Sequence, residues 1–536
     1  MILDEKNFHS GQPRTATMIS ALSNRSSRLG LVAAISVLTL FFFYWNSGWT
    51  ADAVANPWQR RPFDHAEISE YAHRLPYADA FLGHPGKDEG GKYIYGHFDN
   101  VTMLPTVTMD EAKAPCHWDD PSKVNFAFGE TSGWGMDLSW TTKDRGEREL
   151  RTMRNQIYDF IANKNNSLIP YDFYADRFEG RGIVIVGGQG RSLKRVRVIL
   201  RQLKHLGCKL PVELHYWGAE MDSAARKELT TMWPNIYFSN IANPANIMGS
   251  TYNRMYGIHY HLKIAALINA RFEHILLLDS DNIPVIDPEE LFDSKVYQEY
   301  GTVFWPDIQR TRANNPLWPI TNTQCRSVEE WELESGQLLV NKKKFFYHLQ
   351  LAGWFITPDT EHGNYFHHVM LGDKDAFRFA WHALKTKFGV PSRWITSIGT
   401  YNDGFYCGHT FAQHHPDPGG PVAFLHGGLL KTMRREVVIW QKQENGGIFQ
   451  YYKREPHDED KTSNTNVGIK WDAQDYLPNK PEGMEAGWCT DFYDVQPRPF
   501  SEVVPASQFS DKIFDEIGGY WMIEDDTPVS ITDGNL

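Results

Sequence analysis

The sequence is short of cysteine, with five in 536 residues, at positions 116, 208, 325, 407 and 489. No two form a Cys-x-x-Cys pair, which excludes a zinc ribbon and a thioredoxin-type redox motif. In an oxidising compartment at most two bridges can close, leaving one thiol. Basic residues are outnumbered as well, 54 Lys and Arg against 66 Asp and Glu, for a net charge of −12. That balance carries no nucleic-acid footprint. Internal repeats are absent, and long apolar runs are reduced to one.

That run, Leu29 to Trp45, is LGLVAAISVLTLFFFYW, with no charge in seventeen residues. At about 1.5 Å per residue it is long enough for a thin bilayer. Arg14, Arg25 and Arg28 precede it and Asp52 is the first charge after it. The positive-inside rule then keeps the N-terminus cytosolic and sends the rest of the chain to the lumen. A cleaved signal peptide is the rival reading, because the small residues ADAVA follow at 51–55. The long charged segment ahead of the run and its bulky Tyr-Trp end favour an uncleaved anchor. Two luminal sequons, at Asn100 and Asn165, could carry glycans.

What the chain does have is an ordinary globular balance, 41% apolar and 22% charged, with 18 Trp among 14% aromatics. Such a Trp count fits carbohydrate or membrane-interface work, and a large core uses it equally well. The expected organisation is a cytosolic tail (1–28), an anchor (29–49), a partly ordered luminal stem (50–178), a catalytic unit (179–440) and an extension (441–536). Within the stem, GERELRTMRNQIYDFI reads as helical. From Gly182 strands and helices alternate. GIVIVGG is followed by a basic helical stretch, VELHYW by a second helix and NIYFSN by a helix over about 257–271. Then comes the strand HILLLD. This alternation predicts an α/β fold, a mostly parallel sheet with helices on both faces and ligands at the strand carboxyl ends. Further strands are expected at 300–307, 334–341 and 421–428, further helices at KKKFFYHLQLAGWF and DAFRFAWHAL, and a long polar loop over 441–483.

HILLLD opens the decisive stretch, HILLLDSDNIPV at 274–285. Residues i and i+2 of an extended chain point to one side, so Asp279 and Asp281 can face one point in space. Two like charges so close favour a cation between them. Turn chemistry after a strand is the plain alternative. A phosphatase of the haloacid-dehalogenase type also has an apolar strand running into Asp-x-Asp. That motif usually opens its domain, however, whereas here about a hundred residues of alternation come first. Ile283 also stands where Thr or Val is usual. A nucleotide-sugar transferase of GT-A fold needs a nucleotide-binding half-sheet before the Asp-x-Asp and further polar segments after it. GDKDAFRFAW (372–381) and FLHGGLLK (424–431) come in that order.

Together GRGIVIVGGQGR, ILLLDSDNIPV with DPEELFDS, VFWPD, EWELESGQLLV and LGDKDAFRFAWHAL make the chain, over about 180–430, similar to the fungal α-mannosyltransferases of glycosyltransferase family 71. The resemblance implies a GT-A-like nucleotide-diphospho-sugar transferase fold. It also implies a Golgi type II membrane enzyme with a luminal catalytic domain. The implied donor is GDP-mannose and the metal Mn2+ (or Mg2+). The implied reaction is retaining transfer, α-1,2 in most members, to a mannan or glycoprotein glycan acceptor. Other Golgi mannosyltransferases are candidate partners. A UDP-sugar donor, or a non-catalytic subunit of a Golgi transferase complex, are the competing functions.

On that basis Asp281 is the expected direct metal ligand, with Asp279 on the metal, its water or the ribose, and His426 as third ligand. Lys431 is expected on the leaving diphosphate. Gly187, Gly188 and Gly190 would let backbone approach the nucleotide, and Arg191 or Lys194 reach phosphate. Asp375 is expected to support positive charge on the sugar. Helix N-capping competes for Asp373. Glu334 and Gln337 are expected to face donor or acceptor hydroxyls. Trp305, Trp331 and Trp354 are candidates for sugar stacking, with core packing as the alternative.

Overall fold

The computed structural model describes residues 98–116, 143–162, 168–250 and 260–426, apart from 99, 189, 308–309, 328–329, 371 and 403–404. Beyond 426 it describes 440, 443–444, 449–453, 468–473, 488–493 and 503–505. The apolar run 29–45, Asn165 and Lys431 lie outside these residues. Among the described residues no helix is long and apolar enough to cross a membrane.

The first sheet has six strands: β1 (Arg181–Val186), β2 (Val212–Tyr216), β3 (Ile236–Asn240), β4 (His274–Asp279), β6 (Thr302–Pro306) and β7 (Leu333–Asn341), in the order β3-β2-β1-β4-β7-β6. The strands β3, β2, β1 and β4 run parallel, β7 is antiparallel to β4, and β6 is antiparallel to β7. The carboxyl ends of β1 to β4 and of β6, and the amino end of β7, therefore share one edge. The chain is mostly parallel there, as the alternation predicts.

The sheet is covered on both faces, which is why its strands read as continuous apolar runs. Ile275 and Leu277 of β4 enter one core, and Leu276 and Leu278 enter the other. Asp279 has the parity of Ile275 and Leu277 and lies on their side. That side carries the apolar helices α4 (Tyr260–Asn269), α5 (Lys342–Phe355) and α7 (Asp373–Ala383), with α6 (Glu361–Met370) beside them. The amphipathic α2 (Arg191–His205) packs Val196, Ile199, Leu200 and Leu203 on the other face, followed in the chain by α3 (Ser223–Met232).

Part of the segment expected as a stem joins the first core. Helix α1 (Glu147–Ala162) buries Leu150, Ile157 and Phe160 there, and Phe98 and Val101 join them. Arg154, almost fully buried, donates from Nε and one terminal nitrogen to the carbonyls of Pro319 and Val107. A disulfide joins Cys116 to Cys325. Cys407 is also disulfide-bonded, and Cys208 is free and buried. Two bridges and one leftover thiol match the count expected from the sequence.

The second sheet, ordered β12-β13-β9-β8-β11-β14, is antiparallel and holds β8 (Thr396–Asn402) and β9 (Phe405–His414). Its other strands are β11 (Tyr451–Lys453), β12 (Gly468–Ala473), β13 (Trp488–Tyr493) and β14 (Val503–Pro505). The long polar loop expected over 441–483 thus contains two strands. Strand β11 has three residues and pairs with β8 and β14, while β12 pairs with the next strand in the chain, β13. At this sheet's margin β10 (Val422–His426) pairs with β9 and with β5 (Ile283–Pro284).

Candidate active site

The β5–β10 pairing builds the site. Leu425 stands opposite Ile283 and Phe424 opposite Pro284, so the residue after Leu425 arrives beside the acids that precede Ile283. That residue is His426. One ligand atom from each of Asp279, Asp281 and His426 can lie within 4.8 Å of the others. The Nε2 of His426 is 3.3 Å from Asp281 Oδ1 and 3.9 Å from Asp279 Oδ2. Its other ring nitrogen lies 3.0 Å from Glu334 Oε1, and this carboxylate fixes the direction of the ring. Gly336 makes room for that arrangement, since a Cβ there would come within 2.3 Å of the His426 ring.

Burial pushes the Asp279 carboxyl up, Lys263 pulls it back, and the charge of Asp281 adds to the upward push, leaving it above the usual range. Burial alone would lower His426, but the charges of Glu334 and Asp281 outweigh it and raise the ring to about 10. Burial would likewise raise Glu334, yet the His426 charge holds it at about 2. Two carboxylates and one imidazole form a donor set that can hold a divalent cation. A metal binds the neutral imidazole, so its binding at His426 would release a proton.

Two further cations converge on the acids. Lys263 of α4 lies 2.9 Å from Asp279 Oδ2 and 3.0 Å from Asp373 Oδ2, and also donates to Ser335. Those two carboxylates outweigh its burial and keep the ammonium charged. Arg195 of α2 stands 3.6 Å from Asp281 Oδ2. Neither was selected from the sequence. Lys263 did leave a signal, being the single Lys, Arg, Asp or Glu in YHLKIAALIN. Arg195 left none, since it sits within a basic run.

At the head of α7 the N-cap is Gly372 and makes no side-chain cap, so Asp373 is the first helical residue and its carboxylate belongs to Lys263. Asp375 is turned away, toward Arg378 at 2.8 Å. Burial first, and then the Glu332 charge, push Asp375 up to about 7. The helix presents Lys374, Arg378 and His382 four residues apart on one face. Facing them, the extended run into β7 presents Glu330 and Glu332 at the strand spacing of two. Lys374 bridges Asp307 at 2.6 Å and Glu332 at 2.9 Å, while Arg378 and His382 both reach Glu330.

The remaining expected residues are spread out. Gln337 is fully buried and accepts from Asn282, whose Nδ2 also donates to the Gly336 carbonyl at 3.0 Å. Gly187 and Gly188 follow the last residue of β1, Val186, which pairs with Asp279; Gly188 N–H donates to Ser192 Oγ. Gly190 uses a left-handed φ of +63° to turn the chain into α2, headed by Arg191, and Lys194 is half-buried one residue before Arg195. Trp305 is fully buried with its indole bonded to the His414 carbonyl, and Trp354 stacks against Phe160 and His362. Both are core residues. Trp331 is half-buried and stacks on Trp394.

Residues 180–332 and 319–415 match the family described as "Mannosyltransferase putative". The chain is 30% identical over 322 residues to Alpha-1,2-mannosyltransferase MNN23 of Candida albicans, covering 50% of this chain and 51% of that protein. It is 32% identical over 241 residues to MNN2 of the same organism, covering 43% and 39%. To MNN2 of Saccharomyces cerevisiae it is 33% identical over 173 residues, covering 32% and 27%. The chain thus spans about half the length, or less, of these relatives. Among solved structures, the WbbM bifunctional glycosyltransferase aligns with a TM-score of 0.28 at 11% identity, over 39% of this chain and 38% of that one. The galactosyltransferase LgtC, in complex with donor and acceptor sugar analogs, aligns with a TM-score of 0.24 at 15% identity, over 35% and 70%. Residues 180–415, which carry the first sheet, Asp279, Asp281 and both acids of α7, are thus the part of the chain similar to this family and to the fungal α-1,2-mannosyltransferases.

Proposed function

We propose that the protein is a retaining α-mannosyltransferase that moves mannose from GDP-mannose to a mannan or glycoprotein glycan in α-1,2 linkage. The strand order and the ligand edge fit a GT-A-like transferase, and Mn2+ is assigned to Asp279, Asp281 and His426. The observation that carries the reading is the convergence of these three side chains at the carboxyl edge of a mostly parallel sheet. The relatives' names support mannose as the transferred sugar.

When bound, the ion would neutralise charge on the donor diphosphate. Glu334 orients His426 toward Asp281. Lys263 fixes Asp279 and Asp373 at one ammonium, so Asp373 is the acid of α7 assigned to support positive charge developing on the sugar. Asp375, held by Arg378, is given a structural role instead. The acceptor hydroxyl passes its proton to the departing phosphate oxygen, and no enzymic base is required. The proposal includes a Golgi location with the run 29–45 as anchor, supported by the arginines that precede it.

The test is release of GDP from GDP-mannose by the full chain in detergent with Mn2+ and mannobiose, with NMR of the product linkage. An α-1,2-mannoside is expected. Turnover of a UDP-sugar in place of GDP-mannose would overturn the donor assignment, and a β-linked product would overturn retention.

A further inference from the structure

The sequence leaves Asp279 open to the metal, its water or the ribose; in the structure its carboxylate already faces Lys263 and His426. Resting on the reading above, we infer that Glu220 takes the ribose instead, accepting hydrogen bonds from the vicinal hydroxyls of the donor nucleotide. The fold places it there. Strands β2 and β3 lie on one side of β1 and β4 on the other, so the order reverses beside β1, where open α/β sheets hold their ligands. Val186 of β1 pairs with Asp279. Gly188, two residues on, shares the side of Val186 in an extended chain. The space around the glycines agrees. A Cβ on Gly187 would meet Ser192 and Val196 of α2, whereas one on Gly188 would lie 2.5 Å from Glu220 Oε2. Glu220 therefore stands on the face of Asp279, one strand spacing, about 5 Å, to its side. A nucleotide held by its phosphates at Asp281 brings its next group, the ribose, over that neighbouring strand.

The loop after β2 is built to hold this carboxylate. Glu220 Oε2 accepts the Trp217 N–H at 3.0 Å, and the Glu220 N–H donates to the Trp217 carbonyl at 3.1 Å. Between them Gly218 uses a left-handed φ of +57°. The side chain of Asn240, at the end of β3, bonds both the N–H of Gly218 at 2.9 Å and its carbonyl at 3.1 Å. That turn needs one carboxylate oxygen. The second, Oε1, has no hydrogen bond among the described residues, and half-buried Glu220 has no ion pair there either. The other acids at this edge are engaged: Asp281 faces Arg195 and His426, Asp373 faces Lys263, and Glu334 faces His426. An ionised carboxylate only accepts, so its partner must bring donors. The diphosphate brings negative charge and no donor, whereas a vicinal diol offers two O–H groups side by side.

The experiment measures binding of GDP and of 2′,3′-dideoxy-GDP to the full chain in detergent with Mn2+, by calorimetry, for the native protein, Glu220→Ala and Glu220→Gln. A melting curve for each variant checks folding, and the amide of Glu220→Gln keeps an oxygen for the Trp217 N–H. The native protein is expected to bind GDP about tenfold or more tightly than the dideoxy nucleotide, in line with a hydrogen bond to a charged group. In Glu220→Ala that ratio is expected to fall to within about twofold, because GDP weakens while dideoxy-GDP does not. In Glu220→Gln it should fall part of the way. A residue that only shaped its turn would weaken both nucleotides alike. Such parallel loss overturns the inference, as does a native ratio near one or a native-like ratio in Glu220→Ala. Should Glu220→Ala not fold, a native-like ratio in Glu220→Gln overturns it. Failure of the native protein to bind either nucleotide does so too. Turnover of GDP-mannose without ribose discrimination leaves the donor reading standing and removes this subsite. If UDP binds in place of GDP, with the same Glu220-dependent loss when its ribose hydroxyls are removed, the subsite stands and the GDP-mannose reading fails.

Discussion

The Nε2 of His426 lies 3.3 Å from the Oδ1 of Asp281, across 145 residues of sequence. The contact is imposed by backbone pairing, since the two-residue strand after Asp281 lies against the strand that ends in His426. A turn-stabilising aspartate has no need of that partner. The two acids and the imidazole are held as a unit.

Asp281→Ala is therefore expected to lower transfer by at least about 10²-fold, comparable to removing one well-placed electrostatic group. Mn2+-dependent GDP binding should be lost while the melting temperature is kept, since Asp281 is half-buried and not part of either apolar core. Steady-state kinetics, GDP titration with and without Mn2+ and a melt check it. Near-native transfer would return Asp-Ser-Asp to turn chemistry.

Gly336→Ala tests the same centre from the other side. The new Cβ would sit 2.3 Å from the His426 ring, so the ring or β7 must move. Mn2+ affinity, read by titration, is expected to fall roughly 10- to 100-fold, the usual cost of disturbing a ligand's support. Unchanged affinity would mean that His426 does not bind the ion.

The two acids of α7 should separate by kind of effect. Asp373→Asn removes one of the two carboxylates on Lys263 and is expected to cut the turnover number on the order of 10²-fold with little change in donor KM. Asp375→Asn is expected to spare turnover within about threefold, since Asp375 faces Arg378. Michaelis–Menten curves with GDP-mannose decide; the opposite pattern would exchange the two roles.

Asp375 should instead show in stability against pH. Its folded carboxyl is raised to about 7 from 3.8. Between those values the folded protein binds the extra proton, so this group's contribution is complete below about pH 4 and is lost as pH rises through about 7. Denaturant melts of Asp375→Asn across pH 4–7.5 should show a flatter decline in stability than the native protein. An unchanged slope would mean that Arg378 keeps Asp375 ionised throughout.

If the run 29–45 is an anchor, a protease added to sealed Golgi vesicles should spare everything after about residue 50. Glycosidase treatment should shift the band through Asn100 or Asn165. Digestion of the catalytic body in intact vesicles would overturn the type II orientation.

Much of the fold was legible because both faces of the first sheet are covered, so its strands appear as unbroken apolar runs between helical periods. HILLL followed by Asp-Ser-Asp announced the site by placing charge where burial ends. What was illegible depended on long-range register. Gln337 reads as a polar residue beside Gly336, and only the pairing of β4 with β7 shows it turned inward onto Asn282. Asp373 resembles a helix cap until Gly372 is seen in that position. The strand at 468–473 is flanked by polar sequence, and its pairing with 488–493 is a matter of register that the local sequence does not state.

The pairing of α7 with the run into β7 has a consequence for tolerance to change. Lys374, Arg378 and His382 meet Glu332 and Glu330 like teeth on two racks, and one residue of slip would turn the helix by about 100° and disengage them. An insertion or deletion in the loop ahead of α7 thus cannot be absorbed by gradual rotation of the helix. The aim of Asp373 at its head is indexed in discrete steps by side chains up to about two and a half turns further on. Variation in this neighbourhood should accordingly come as substitution and not as change of length.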